Sequence, residues 1–208
     1  MRNYNINGIV LKSVNYKDSD KIYSILTREL GKISVLGKGV RKISSRRGGN
    51  LDTINLISAK ISESNRGFRQ VEEVKTINSF KEIKKSYDLS CNAYYMAELI
   101  YRNSEEGDDS EEIFNVFIKC LKALSNAKVS PHLIVNYFEL ELLKILGYEY
   151  QKDNTVRDEI ADILSRIQKG WFPKEISRSD EQEVDKNIKD FLNRHLDSKI
   201  KSLELSLK

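Results

Sequence analysis

Between Lys32 and Arg47 the sequence carries Lys32, Lys38, Arg41, Lys42, Arg46 and Arg47, six cations in sixteen positions with no Asp or Glu among them. Such a run suits a polyanion of regularly spaced charges. Neutralising several phosphodiesters releases their condensed counterions, so binding is strongly salt-dependent and only weakly dependent on base sequence. Gly37, Gly39, Gly48 and Gly49 with Ser44 and Ser45 give the later part of the run the composition of a mobile loop that can follow a phosphate chain. The plain alternative is an exposed loop that only keeps the chain soluble. Phe68, flanked by Arg66 and Arg69, is the ring best placed to stack on a base, whereas most of Tyr4, Tyr16 and Tyr23 are expected in a core.

Catalytic groupings are poor by comparison. Asp18 and Asp20 could hold a hard metal ion as paired carboxylates do, but they sit in a four-residue polar turn, where Asp is favoured for bonding its own backbone. His132 and His195 lie about sixty residues apart without a matched Cys or Ser context, and Cys91 and Cys120 each stand among helically spaced apolar residues. No glycine-rich phosphate cradle is present. A binding protein rather than an enzyme is expected, with no cofactor and no metal.

The elements that would position the cationic run follow from charge and periodicity. Residues 1–80 hold 15 Lys and Arg against 7 Asp and Glu, a net of +8, whereas residues 81–208 carry a net of −4. The first part is expected to meet a polyanion and the second to do something else. Glycine-punctuated segments rich in Ile, Val, Leu and Tyr predict five strands, at residues 6–16, 21–27, 32–36, 51–61 and 68–77. Ile33 and Val35 share one face, as do Ile57, Ala59 and Ile61. Five short strands with no helix between the first three imply an oligonucleotide-binding-type barrel. From Phe80 the period shifts to near 3.6. Stripes at Leu89/Ala93/Met96/Ile100, Phe114/Phe117/Leu121/Leu124, Ile134/Phe138/Leu142/Ile145, Ile160/Ile163/Leu164/Ile167 and Val184/Ile188/Phe191/Leu192 predict about five helices. Ser130-Pro131 should start the third and Gly147 end it, Gly170 should end the fourth, and Ser179 to Gln182 should cap the fifth. The acidic stretch 104–112 is expected to be a solvated loop leading into the negatively charged start of the second helix. The fold class is thus α+β, a barrel domain over 1–80 and a helical domain over 81–208. With no signal-peptide core and no run of about 18 apolar residues, the expected compartment is the cytoplasm, without membrane contact.

Gly8-Ile9-Val10-Leu11-Lys12, Tyr16-Lys17-Asp18-Ser19-Asp20-Lys21, Leu26 to Lys32, and Gly37-Lys38-Gly39-Val40-Arg41-Lys42 with Ser45-Arg46 resemble, in order and spacing, the N-terminal barrel of the RecO family of bacterial recombination mediators. Glu139 to Tyr148 is similar to the helix that ends that family's central bundle, and Leu192 to Leu196 with Ile200 to Leu203 to its closing segment. Many members carry a four-cysteine zinc module after the Leu-Gly-Tyr segment. Residues 149–156 contain no cysteine, so the module is expected to be absent. The resemblance implies a protein that binds single- and double-stranded DNA, anneals complementary strands and, with RecR, helps place RecA on DNA coated by single-strand-binding protein. DNA contact then falls to Lys38, Arg41, Lys42, Arg46 and Arg47, with Lys32 and Arg69 as lesser positions. The family's helical domain takes up the acidic, apolar tail of single-strand-binding protein. Lys119, Lys122 and Arg102 are basic positions of that domain that could serve. The rival reading is a general single-stranded nucleic-acid-binding barrel without mediator activity.

Overall fold

The computed structural model describes residues 2–42, 45, 47–107, 110–126, 128–150 and 156–196. Two compact units are distinguished: Met1–Lys81 with Ala93–Asn115, and Glu82–Asn92 with Val116–Lys208.

The first unit is built on β1 (Arg2–Tyr16), β2 (Asp20–Thr27), β3 (Gly31–Gly37), β4 (Leu56–Glu63) and β5 (Arg69–Asn78). These strands close on themselves in the order β1-β2-β3-β5-β4. The 15-residue β1 serves two neighbours by bending at an irregularity between Val10 and Lys12. Its first half pairs antiparallel with β4, from Arg2 opposite Glu63 to Ile9 opposite Leu56, and its later part pairs with β2 through Tyr16 opposite Asp20. Closure comes from a short parallel contact of Leu36 with Gln70. Alternation sets which side chains turn inward. Ile33 and Val35 are each 1% exposed and Ile57, Ala59 and Ile61 are buried, as their spacing predicts, while Ser34 and Lys60 face out. With Ile6, Val10, Tyr23, Ile25 and Val71 they form the barrel core.

Two strand starts differ from expectation by several residues: β1 begins at Arg2, four residues before the expected residue 6, and β4 begins at Leu56. Residues 51–55, expected to open the fourth strand, instead plug the barrel end, where Leu51 and Ile54 are buried and Asn55 donates its amide to the carbonyls of Gly49 and Asn50. Ahead of them, α1 (Arg47–Asn50) is a single helical turn where a mobile loop was expected. The cause is tertiary: Leu51, directly after α1, is drawn into the core.

The remaining helices are α2 (Lys81–Lys85), α3 (Tyr87–Asn103), α4 (Ser110–Asn126), α5 (Pro131–Ile145), α6 (Asp158–Gln168) and α7 (Arg178–His195). The five expected helices are α3 to α7, and one-turn α2 is additional, held by buried Ile83. In the second unit α5 is central. Ten of its fifteen residues are buried, so it is apolar nearly all round and needs neighbours on every side. Phe138 packs against Phe117 with ring centroids 5.9 Å apart, and Tyr137 meets Phe172 edge-on. Pro131 opens α5 and Gly147, at φ 90°, closes it as predicted, but the Ser130 hydroxyl donates to Glu181 instead of capping its own helix.

The α7 cap also sits two residues earlier than Ser179. Ser177 accepts the Asp180 N–H, because Ser177 and Asp180 have the Ser-x-x-acid spacing that satisfies the first turn. Arg157 then bridges Asp180 at 2.9 Å and Glu183 at 2.5 Å. The Asp180 carboxyl is held below its ordinary range by Ser177 and then Arg157, and that of Glu183 chiefly by Arg157. Depressed carboxyls stabilise the fold above their ordinary values and stop doing so as pH falls through the depressed ones. The stability deficit of Arg157→Ala measured at pH 7 should therefore shrink below about pH 4.5 and vanish once both carboxyls are protonated. A deficit constant with pH in thermal melts would contradict this.

Candidate nucleic-acid interface

The cationic run leaves the end of β3 and turns back at Gly39. It is fastened at its root. Asp20 accepts the Gly39 N–H at 2.7 Å, the Arg41 N–H donates to the Ser19 carbonyl at 3.0 Å, and Val40 is buried in the barrel core. The Gly39 amide is the main reason that the Asp20 carboxyl lies below its ordinary range. Asp20 thus acts as the anchor of this turn, bonding the backbone of Gly39 rather than the local amides that the polar-turn reading expected. Among the described residues no group of three or more His, Cys, Asp or Glu side chains is arranged to hold a metal ion.

With its root fixed, the turn presents Lys38, Arg41 and Lys42 exposed. The Arg41 guanidinium reaches back to the Lys17 carbonyl at 3.4 Å. Arg47 has a different situation: half-buried, it donates to the carbonyls of Val71 at 3.2 Å, Glu72 at 3.5 Å and Lys38 at 3.3 Å, bracing the turn against β5. Arg46 lies outside the described residues. Lys32 donates to the Tyr101 carbonyl at 2.5 Å and its ammonium lies 5.0 Å from the centre of that ring. Arg69 is engaged from two sides, by Glu63 at 3.1 Å and by a forked pair with Glu106 at 2.7 and 2.5 Å. The seven cations named from sequence therefore separate into an exposed trio, a brace, two side chains already engaged, and Arg46.

The Arg47 guanidinium spreads its donors over two terminal nitrogens in a fixed plane, a spacing that a single lysine ammonium does not reproduce. Arg47→Lys should keep the charge yet speed amide exchange across residues 38–42. Unchanged exchange would show that the brace is unimportant.

Phe68 is 65% exposed, as expected for a stacking ring, on the turn between β4 and β5. It borders an apolar groove of about 330 Å³ lined by Tyr16, Ile22, Leu36 and Arg69. Tyr23 is a core residue, 2% exposed, and burial pushes its hydroxyl up to about 12. Tyr16 differs from the core expectation in lining the groove. The site can accordingly offer cations to phosphates and an aromatic face to a base.

Sequence reasoning missed Arg28, whose guanidinium contacts Glu111 at 3.0 and 2.5 Å. Glu105, Glu106 and Gly107 are exposed, as a solvated loop would be, but the stretch is also pinned in place. Glu105 and Glu106 lie against the turn between β2 and β3, with Glu106 bridged to Gly31, while Glu111 and Glu112 do occupy the first turn of α4. Of the basic helical positions, Lys119 donates to the Tyr137 hydroxyl at 2.7 Å, Arg102 pairs with Glu98 at 2.6 Å, and Lys122 is exposed.

Residues 1–80 match the family model described as recombination protein O N terminal, and residues 85–159 match recombination protein O C terminal. The chain belongs to the RecO family. A DNA repair protein RecO of Exiguobacterium sp. is 32% identical over 142 residues, 68% of this chain and 56% of that protein. Similar relatives of the same description come from Dehalococcoides mccartyi, at 31% over 142 residues (68% and 55%), and Clostridium perfringens, at 29% over 149 residues (72% and 60%). The chain spans somewhat more than half the length of these RecO relatives. In this RecO-family chain both family models fall on described elements: the N-terminal one covers the closed barrel and its cationic turn, and the C-terminal one covers α3 to α5.

Proposed function

We propose that this chain is a DNA repair and recombination mediator without catalytic activity of its own. Its barrel, read as an oligonucleotide-binding fold over residues 1–80, binds single- and double-stranded DNA and anneals complementary strands, and the helices that follow meet protein partners. The observation that carries the reading is the anchored turn, which holds Lys38, Arg41 and Lys42 in solvent at the end of β3 while Asp20 and Val40 fix its root. Pairing two strands requires their mutual repulsion to be screened while their bases stay accessible. A fixed cationic turn touching phosphates, beside a single exposed ring, meets both needs. Lys38, Arg41 and Lys42 are the primary DNA contacts, with Arg46 beside them in sequence, and Arg47 contributes by holding the turn. Lys32 and Arg69 join only where they exchange their present partners.

Family membership supports RecR, the tail of single-strand-binding protein and, indirectly, RecA as partners. It also supports action in the cytoplasm, at the nucleoid. No described helix is long and apolar enough to cross a membrane. Residues 149 and 150, which follow the Leu-Gly-Tyr segment, supply no thiolate, and Tyr148 and Tyr150 instead pack on His195 and Phe191 at 4.7 and 5.2 Å between ring centres. The zinc-free reading of this stretch rests on that sequence and packing.

The deciding experiment mixes complementary oligonucleotides, bare and coated with single-strand-binding protein, with the purified chain. Faster pairing is expected. Binding without any acceleration would favour a general single-stranded nucleic-acid-binding barrel. Cleavage of labelled DNA in magnesium or manganese would overturn the non-enzymatic reading.

A further inference from the structure

Within the barrel unit, residues 104–107 run back along the turn between β2 and β3. The Lys32 N–H donates to the Glu105 carbonyl at 3.2 Å and the Gly107 N–H to the Leu30 carbonyl at 3.1 Å. Gly31, at φ 71°, is what permits this approach, since a Cβ there would lie 2.6 Å from the Glu105 oxygen. Ser104 is buried and donates to the Ile100 carbonyl at 2.7 Å, fixing the start of the segment. So placed, Glu106 presents both carboxylate oxygens as a fork to Arg69, and Glu111, in the first turn of α4, accepts two N–H groups of Arg28 on one carboxylate oxygen.

A two-oxygen anion facing a planar guanidinium is also the geometry by which arginine holds a phosphodiester. Stability is a weak reason for the Arg28–Glu111 contact, whose side chains are 51% and 60% exposed, so water and salt screen most of the attraction. In the Arg69–Glu106 pair Arg69 is only 16% exposed, but the Glu106 carboxylate is 52% exposed and so open to competition from solvent. Arg69 also lines the groove beside Phe68, on the barrel face where the DNA reading places a strand.

We propose that Glu106 and Glu111 are intramolecular stand-ins for phosphate, which occupy Arg69 and Arg28 until a nucleic-acid backbone replaces them. The acidic segment then sets a threshold for DNA binding. Its backbone pairing keeps the carboxylates in reach, and their exposure to solvent lets an incoming phosphate compete for the arginines. The inference rests on the reading that the barrel binds DNA.

The test compares the full chain with Glu106→Gln/Glu111→Gln and with a charge-matched control, Glu73→Gln/Glu112→Gln, which alters exposed acids with no ion pair to Arg28 or Arg69 among those described. Affinity for a single-stranded oligonucleotide is read at about 0.1 M salt, where one phosphate contact contributes about fivefold. The first variant should bind at least threefold tighter than the control, and adding Arg28→Ala and Arg69→Ala should erase that gain. Equal gains in both variants, or a gain that survives loss of the arginines, would overturn the exchange while leaving the DNA reading intact. Absence of binding by all the proteins would overturn both.

Discussion

Replacing Lys38, Arg41 and Lys42 together by alanine should weaken binding of single-stranded DNA on the order of 100-fold at about 0.1 M salt. Each phosphate contact on a single strand adds about 0.7 to the slope of log affinity against log salt, and three contacts give about two decades at that concentration. The loss should be similar for every base sequence, and the slope should become shallower by about two. The three side chains are exposed, and the root of their turn depends on Asp20, Ser19 and Val40, so the variant should melt like the parent chain. A folded variant with parental affinity and slope would remove the basis of the proposed function. A loss confined to particular sequences would point instead to base readout.

Phe138→Ala should destabilise the second unit by about 3 to 5 kcal/mol. The Phe138 ring is wholly buried in α5 and tilts against Phe117, and truncation leaves a cavity in a helix buried on nearly all sides. Phe138→Leu, which keeps most of the volume, should cost less than about 1.5 kcal/mol. Denaturant midpoints of the two variants measure the difference directly. Nearly equal midpoints would mean that the site collapses to fill the space and that packing there is not specific.

Elements with a clean period were readable from sequence. Ile33/Val35 and Ile57/Ala59/Ile61 gave strand faces, and the stripes through Met96, Phe117, Phe138, Leu164 and Ile188 gave five helices, because burial on one side imposes its spacing on the chain. Residues 47–50 were misread because Gly48 and Gly49 look like a loop, whereas Arg47 there reaches carbonyls more than twenty residues away in β5, and residues 51–55 were misread as strand because Leu51 and Ile54 are apolar but bury themselves outside the ladder. The α7 cap was displaced because Ser177 and Ser179 each precede a suitable partner three residues on, Asp180 and Gln182, and only the geometry selects Ser177. For the candidate site, residue types could identify the exposed trio. They could not show that Arg69 is engaged by Glu106 and Arg28 by Glu111, since partners 37 and 83 residues apart leave no local pattern.

The double duty of β1 also bears on how the chain is made. Residues 2–9 pair with β4, and of these residues 2–7 have no partner in β2, so that part of β1 stays unmatched until about 51 to 61 further residues have been made. Throughout that interval its amides and carbonyls form a ready template for another nascent chain. The charged and amide side chains of Arg2, Asn3, Asn5 and Asn7 around Tyr4 and Ile6 are the kind that discourage such mispairing.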